Sequence, residues 1–241
     1  MSSQNSKSSE IAGELRKEIL SGHFREGERL PSERDLSARF AASRGAVREA
    51  LSQIDQLGLI DIQPGGARVR PLNEARIAVL GPLLAMQDVP DAKLLENFLQ
   101  TFGALSALTA EEAISRGTDE QLNRLRQHVV TLQDLVDDFA GQQQVWRDFF
   151  ACLSDVADNL VVQLIGNDLK AQFMEQALKL GIAPAIRKRV LVQIIRDLKR
   201  AIDKRDREKA GAALRIYFEE LNISLQEVLA QMDTQYQQAV G

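Results

Sequence analysis

Apolar residues recur at helical spacing along almost the whole chain, with one short alternating stretch before residue 71. Ile11, Leu15, Ile19 and Leu20 predict a helix over Ser9–Ser21, stopped by Gly22. The run H-F-R-E-G-E-R-L-P that follows carries Gly27 and Pro31 and reads as a loop packed by Phe24 and Leu30. S-E-R-D at Ser32 opens a second helix in a capping-box pattern, with Ser32 and Asp35 satisfying first-turn amides and with Leu36 and Phe40 buried. Ala41-Ala42 makes a turn. Ser43 then caps a third helix, from Arg44 to Leu57, with Val47, Leu51 and Ile54 as its buried stripe and Gly58 as its stop. Leu59–Ile62 and Ala67–Arg70 read as two strands joined by Gln63-Pro64-Gly65-Gly66. Alternation turns Ile60, Ile62 and Val69 toward the core or the partner strand.

From Asp91 the pattern is helical to the end. Apolar stripes include Leu94, Leu95, Phe98, Phe102 and Leu105, then Val145, Phe149, Leu153 and Val156, then Val161, Leu164, Ile165, Leu169 and Phe173. Breaks fall at Gly117, Gly141, Asn159, Gly181–Pro184 and Asp203–Asp206. The predicted fold is mainly α: an N-terminal winged helix-turn-helix with a small β-hairpin wing, and a C-terminal antiparallel bundle of six or seven helices. The domains are a disordered lead-in at 1–8, a winged helix-turn-helix at 9–72, a linker at 73–90, a helical domain at 91–233 and a tail at 234–241.

Hydrophobic residues make up 44% and charged residues 27%, as in an ordinary globular protein, and aromatics are only 5%. No apolar run approaches the roughly 18 residues of a membrane span. Cys152 is the only cysteine, so no internal disulfide forms, and its apolar helical setting reads as an inert thiol. These features point to a cytoplasmic protein. The net charge of −4 at first argues against nucleic acid. Distribution matters more than the sum, because phosphate contact needs only a local cationic face.

Arg34, Arg39, Arg44, Arg48, Arg68 and Arg70 can supply that face. Arg44 and Arg48 lie four apart on the third helix, opposite Val47 and Leu51. Gly45 and Ala46 are small enough for the helix to approach base edges. An arginine there can pair with guanine through two hydrogen bonds, worth about 1–3 kcal/mol of discrimination. Pro-Gly-Gly makes a wing whose backbone can reach a minor groove, with Arg68 or Arg70 beside it for phosphate.

L-P-S-E-R-D-L, S-R-G-A-V-R-E-A-L and L-G-L-I resemble the signature of the GntR family of bacterial transcription regulators over residues 10–72. Carried over by position, the family's DNA contacts fall on Arg34, Ser43, Arg44, Gly45 and Arg48, with Gly65 at the wing tip and Arg68 beside it. Where members of the family carry a histidine before that glycine, this chain has Pro64. The resemblance implies a homodimer on double-stranded palindromic DNA.

The second half is similar to the helical effector domain of the FadR-like branch, through F-F-A-C-L-S-D-V-A-D-N and I-D-K-R-D-R-E-K-A-G-A-A-L. Many such domains hold a divalent metal with one aspartate and three histidines. Here those positions fall on Trp146, Phe150, Ile195 and Tyr217, and the chain has only two histidines, so the resemblance implies a domain without metal or other cofactor. Phe98, Phe102, Trp146, Phe150, Ile195 and Tyr217 then either fill a core or line an apolar effector pocket. For the pocket, a fatty acyl-coenzyme A or another apolar metabolite is the leading ligand. No acid–base or nucleophile constellation supports an enzyme. A ligand-responsive repressor is the expected function, against a constitutive DNA-binding protein with a vestigial effector domain.

Overall fold

The chain divides into two units, Met1–Met86 and Gln87–Gly241. The computed structural model describes residues 7–86, 91–179 and 185–240, and of 172–179 and 233–240 the backbone alone.

In the first unit, α1 spans Lys7–Leu20, α2 Glu33–Arg39 and α3 Arg44–Gln56; β1 (Ile60–Gln63) and β2 (Gly66–Val69) form an antiparallel hairpin. The helix α1 begins inside the stretch expected to be a lead-in, and Ser8 is already buried. Ile11, Leu15 and Ile19 of α1, Leu36 of α2, and Val47, Leu51 and Ile54 of α3 meet Leu59, Ile60 and Val69 in one core. Each such side chain contributes about 1.5–3 kcal/mol by leaving water. Ser32 caps α2 by accepting from the Asp35 amide at 3.2 Å, but the expected reciprocal box does not form. The Asp35 carboxylate accepts the Ser32 hydroxyl at 2.6 Å instead, and this bond holds its pKa below the usual carboxylate value.

The loop before α2 lies along β2: Gly27 N donates to Val69 O, and Leu30 N to Ala67 O, both at 2.9 Å. That covers Ala67, whereas Ile62, its partner across the hairpin, is 50% exposed. Of the two expectations for Ile62, core or partner strand, it meets the second: it pairs with Ala67 on the outer half of the wing. Residues 73–86, expected within a linker, are structured. They form two 3-10 turns and α4 (Leu80–Leu84), and Val79 enters the first core.

The second unit contains α5 (Ala92–Arg116), α6 (Asp119–Asp134), α7 (Phe139–Ala157), α8 (Leu160–Lys179), α9 (Lys188–Lys204) and α10 (Arg207–Val240). Thus α10 runs through most of the stretch expected to be a tail. The predicted break at Gly141 falls instead at Val136–Asp138, and Asp138 caps α7 by accepting from the Gly141 amide at 3.0 Å. Asn159 separates α7 from α8, and Arg205, at φ +50°, separates α9 from α10. Arg205 also ties that turn to the start of α6, donating to Gly117 O at 3.0 Å and to Asp119 at 2.7 Å. The break at Gly181–Pro184 lies outside the described residues.

Three residues of the predicted apolar stripe on α8 do not face a core. Leu169 is buried, but Val161 is 66%, Leu164 59% and Ile165 40% exposed, because no described element covers that side of the helix. The side chain of Phe173 lies outside the described residues. Against this, α5 and α10 pack tightly, and Gly103 of α5 sits where an added Cβ would stand 2.8 Å from Phe218 Cβ of α10. Gly103→Ala is therefore expected to overpack this contact and destabilise the second unit by about 1–3 kcal/mol. Thermal unfolding should show a lower melting temperature; an unchanged one would mean that the two helices can part at no cost.

Candidate nucleic-acid interface and aromatic cluster

The rotation of α3 is set by its buried stripe. Val47, Ala50 and Ile54 are 0% exposed and Leu51 6%, so the opposite face, bearing Arg44, Gly45 and Arg48, meets solvent. Ser43 fixes the start of the helix: its hydroxyl accepts from the Ala46 amide at 3.2 Å. Ala41, at φ +48°, makes the turn out of α2. A second tie holds α2 to α1. Arg39 donates to Glu18 at 3.0 Å and through a second, shorter contact, and the guanidinium lowers the Glu18 carboxyl pKa.

The arginines then differ. Among the described residues Arg44 has no hydrogen-bond or ion-pair partner. Arg34 is highly exposed and only grazes Asp35, at 3.6 Å. Arg48 donates from Nε to both carboxylate oxygens of Glu33, at 3.0 and 2.8 Å, which braces α3 against α2 and leaves its two terminal nitrogens without a described contact. Both partners are solvated, so the pair contributes about 0–1 kcal/mol and can be exchanged for another anion. A Cβ on Gly45 would meet only Ser43 Oγ, at an ordinary 3.8 Å, so folding alone does not require glycine there.

At the wing, Pro64 cannot take positive φ, and the turn falls on Gly65 (φ +111°) and Gly66 (φ +128°). Space around Gly65 is open, as a wing tip requires. The other wing groups are engaged internally. Arg68 donates to Gly27 O at 3.0 Å, and Arg70 to Glu74 at 2.8 Å. Arg29, which sequence reasoning missed, lies against the wing: a Cβ on Gly66 would stand 2.7 Å from its Nε. Glu33 was missed as well. Neither carries a signal in the sequence, since Arg29 sits in a loop without periodicity and Glu33 meets its partner fifteen residues away.

In the second unit the predicted aromatic positions come together. Trp146 lies 4.2 Å from Tyr217 and 5.7 Å from Phe150 between ring centroids, and Phe150 lies 6.1 Å from Tyr217. Phe218, not predicted, links Phe150 at 5.7 Å to Phe102 at 5.3 Å, and Phe102 stacks on Phe98. Ile195 is buried on α9 and Phe98 on α5. Two crevices flank this cluster: Phe102 and Phe150 line one, Trp146 and Tyr217 the other. Burial raises the Tyr217 phenol well above its ordinary pKa. An indole, a phenyl ring, a branched alkyl and a phenol held neutral give no donor set for a divalent cation, so the metal of similar domains does not fit these residues. Cys152 is half buried and burial raises its thiol pKa, which keeps it a poor nucleophile.

Comparison with known proteins accounts for both units. Residues 7–69 match the model of bacterial regulatory proteins of the gntR family, and residues 98–220 match the FCD domain. The HTH-type transcriptional regulator Mce2R of Mycobacterium tuberculosis is 29% identical over 170 residues, 68% of this chain and 69% of that protein. The HTH-type transcriptional repressor NanR of Escherichia coli is 29% identical over 157 residues, 64% of this chain and 59% of that protein. A solved structure of Lar, described as controlling expression of the Listeria monocytogenes agr system, shares the fold at a TM-score of 0.52 and 17% identity, over 91% of this chain and 96% of that one. The chain belongs to the GntR family of bacterial regulatory proteins: it is a DNA-binding transcription regulator, not an enzyme, and its C-terminal unit is an FCD effector-binding domain.

Proposed function

We propose that the chain is a ligand-responsive repressor that binds a two-fold symmetric operator as a homodimer in the bacterial cytoplasm. The observation that carries this reading is the solvent face of α3, where Arg44 stands unpaired beside Gly45 while the opposite face is locked in the core. Arg44 and Arg48 read bases, Arg34 and the amide end of α3 at Ser43 meet phosphate, and Gly65 enters the minor groove. Arg68, held by Gly27, shapes the wing and touches phosphate only from its edge.

Self-association is supported by α8. Leu160, Val161, Leu164 and Ile165 recur on one face and are each at least 40% exposed, a contiguous apolar strip suited to a two-fold contact with a second copy. Two inverted recognition helices give such a dimer its palindromic site.

The effector shifts the balance of two arrangements only through its different affinity for them. A fatty acyl-coenzyme A or another metabolite with an apolar body is the candidate ligand, seated on Phe102 and Phe150 or on Trp146 and Tyr217. The 4.2 Å contact of Trp146 with Tyr217 favours a filled centre, with the ligand in a flanking crevice.

Arg44→Ala should weaken operator binding by about 1–3 kcal/mol while binding to random DNA changes less; an equal loss on both would make Arg44 a phosphate contact. Gly45→Ala should leave the melting temperature unchanged or raised, by up to about 1 kcal/mol of helix propensity, yet weaken operator binding. Full binding by that variant would show that no base edge comes close. Leu164→Glu should convert dimer to monomer in sedimentation velocity, and an unaltered dimer would place the interface elsewhere.

A further inference from the structure

The wing is built from more than its own hairpin. Three hydrogen bonds of 2.9 Å tie the loop before α2 to β2: Gly27 N donates to Val69 O, Leu30 N to Ala67 O and Val69 N to Glu28 O. The last two flank an antiparallel bridge between Arg29 and Arg68. In a pair of this kind the two residues exchange no hydrogen bond themselves, and their side chains stand closest, on one face of the sheet. Asp61 of β1 pairs with Arg68 from the other side. All three residues are exposed. Two arginines thus stand directly across from each other on the outer face of the wing, an arrangement that weakens a sheet rather than stabilising it.

Their side chains part. Arg68 turns toward the base of the wing, where it donates to Gly27 O at 3.0 Å. Arg29 turns toward the tip, and its guanidinium lies over Gly66 in the space that a Cβ there would take. Among the described residues Arg29 has no side-chain hydrogen bond and no ion-pair partner. The tip itself offers nothing comparable. Pro64, Gly65 and Gly66 carry no donor side chain, the Gln63 amide donates to Asp61, and Arg70 is held by Glu74. The free cation at the wing tip therefore comes from a residue outside the hairpin.

We propose that Arg29 is the specificity-determining residue of the wing: its guanidinium enters the minor groove beside Gly65 and selects a narrow, A·T-rich stretch. This rests on the reading that the wing tip lies in a minor groove. Narrow A·T tracts carry an enhanced negative potential. They also present only acceptors on the groove floor, where a G·C pair places an amino donor against a guanidinium that can only donate. Arginine suits the place better than lysine, because a guanidinium is more weakly hydrated than an ammonium. Phosphates on the two walls of the groove relieve the repulsion between Arg29 and Arg68 that folding alone leaves standing. Arg44 and Arg48 then read base edges in the major groove, and Arg29 reads the width of the minor groove next to it.

Duplexes selected from a random library by the whole chain test this. The base pairs outside those that depend on Arg44 are replaced in turn by A·T, G·C or inosine·cytosine, which keeps the major groove of G·C but lacks its amino group in the minor groove. Titrated at one ionic strength, the unaltered chain should prefer A·T and inosine·cytosine over G·C at the wing's steps by about fivefold or more. Arg29→Ala should bind all three alike at an unchanged melting temperature, since the bridge to Arg68 is made by the backbone. Arg29→Lys should keep the salt dependence of binding but recover only part of the preference.

Equal binding of the three duplexes by the unaltered chain overturns the proposal. So does a preference that survives in Arg29→Ala, or one that Arg68→Ala removes instead. A loss in Arg29→Ala that is equal on all three duplexes makes Arg29 a phosphate contact and overturns it too. Each of these results leaves base reading by α3 intact wherever a guanine that depends on Arg44 is still selected. A preference that follows Arg29 without any base that depends on Arg44 keeps the wing assignment and sinks the reading of α3. Recovery of unenriched DNA defeats both.

Discussion

Burial of one side of α3 is the constraint on which the DNA-binding unit depends. Val47, Ala50, Leu51 and Ile54 can leave water together only if the helix is turned one way, against α1 and the base of the wing. That rotation sends Arg44, Gly45 and Arg48 outward, so the chemistry of recognition is a by-product of packing. The remaining devices refine it. Ser43 and Ala41 fix where the helix starts, Glu33 braces Arg48, and the Glu18–Arg39 pair holds α2 in place. None of these exposed pairs contributes much stability; their effect is to narrow the orientations that arginines would otherwise sample.

The effector unit is organised by a different constraint, the close approach of α5 and α10. Gly103 admits Phe218, and Gly211 admits Glu111, which in turn pairs with Arg215. Around that seam the chain concentrates its few aromatics, where similar domains gather metal ligands. Replacing ligands with rings exchanges coordination for dispersion and burial. The space that remains lies in the two crevices that flank the cluster.

How far the sequence revealed this depends on the element. The helices of the first unit were legible because each carries both a stripe and a cap: Ser43, Val47, Leu51 and Gly58 mark α3 from end to end. The convergence of Trp146, Phe150 and Tyr217 was legible through motif register, although Tyr217 of α10 lies on a different helix from the other two. The exposed face of α8 was not, because apolar residues at helical spacing look the same whether they face a core or a partner. Residues 73–86 were hidden for the opposite reason: short 3-10 turns leave no periodicity, yet Val79 packs into the first core. Long-range pairs such as Glu33 with Arg48, or Arg29 over Gly66, have no local signature.

The central claim is that α3, presented twice by a symmetric dimer, reads DNA sequence. Selection of binding sites from a random duplex library with the purified chain tests it most directly. The account predicts a motif of two inverted half-sites, each containing a guanine whose enrichment depends on Arg44. Recovery of unenriched DNA, or of a single unrepeated half-site indifferent to Arg44, would contradict it.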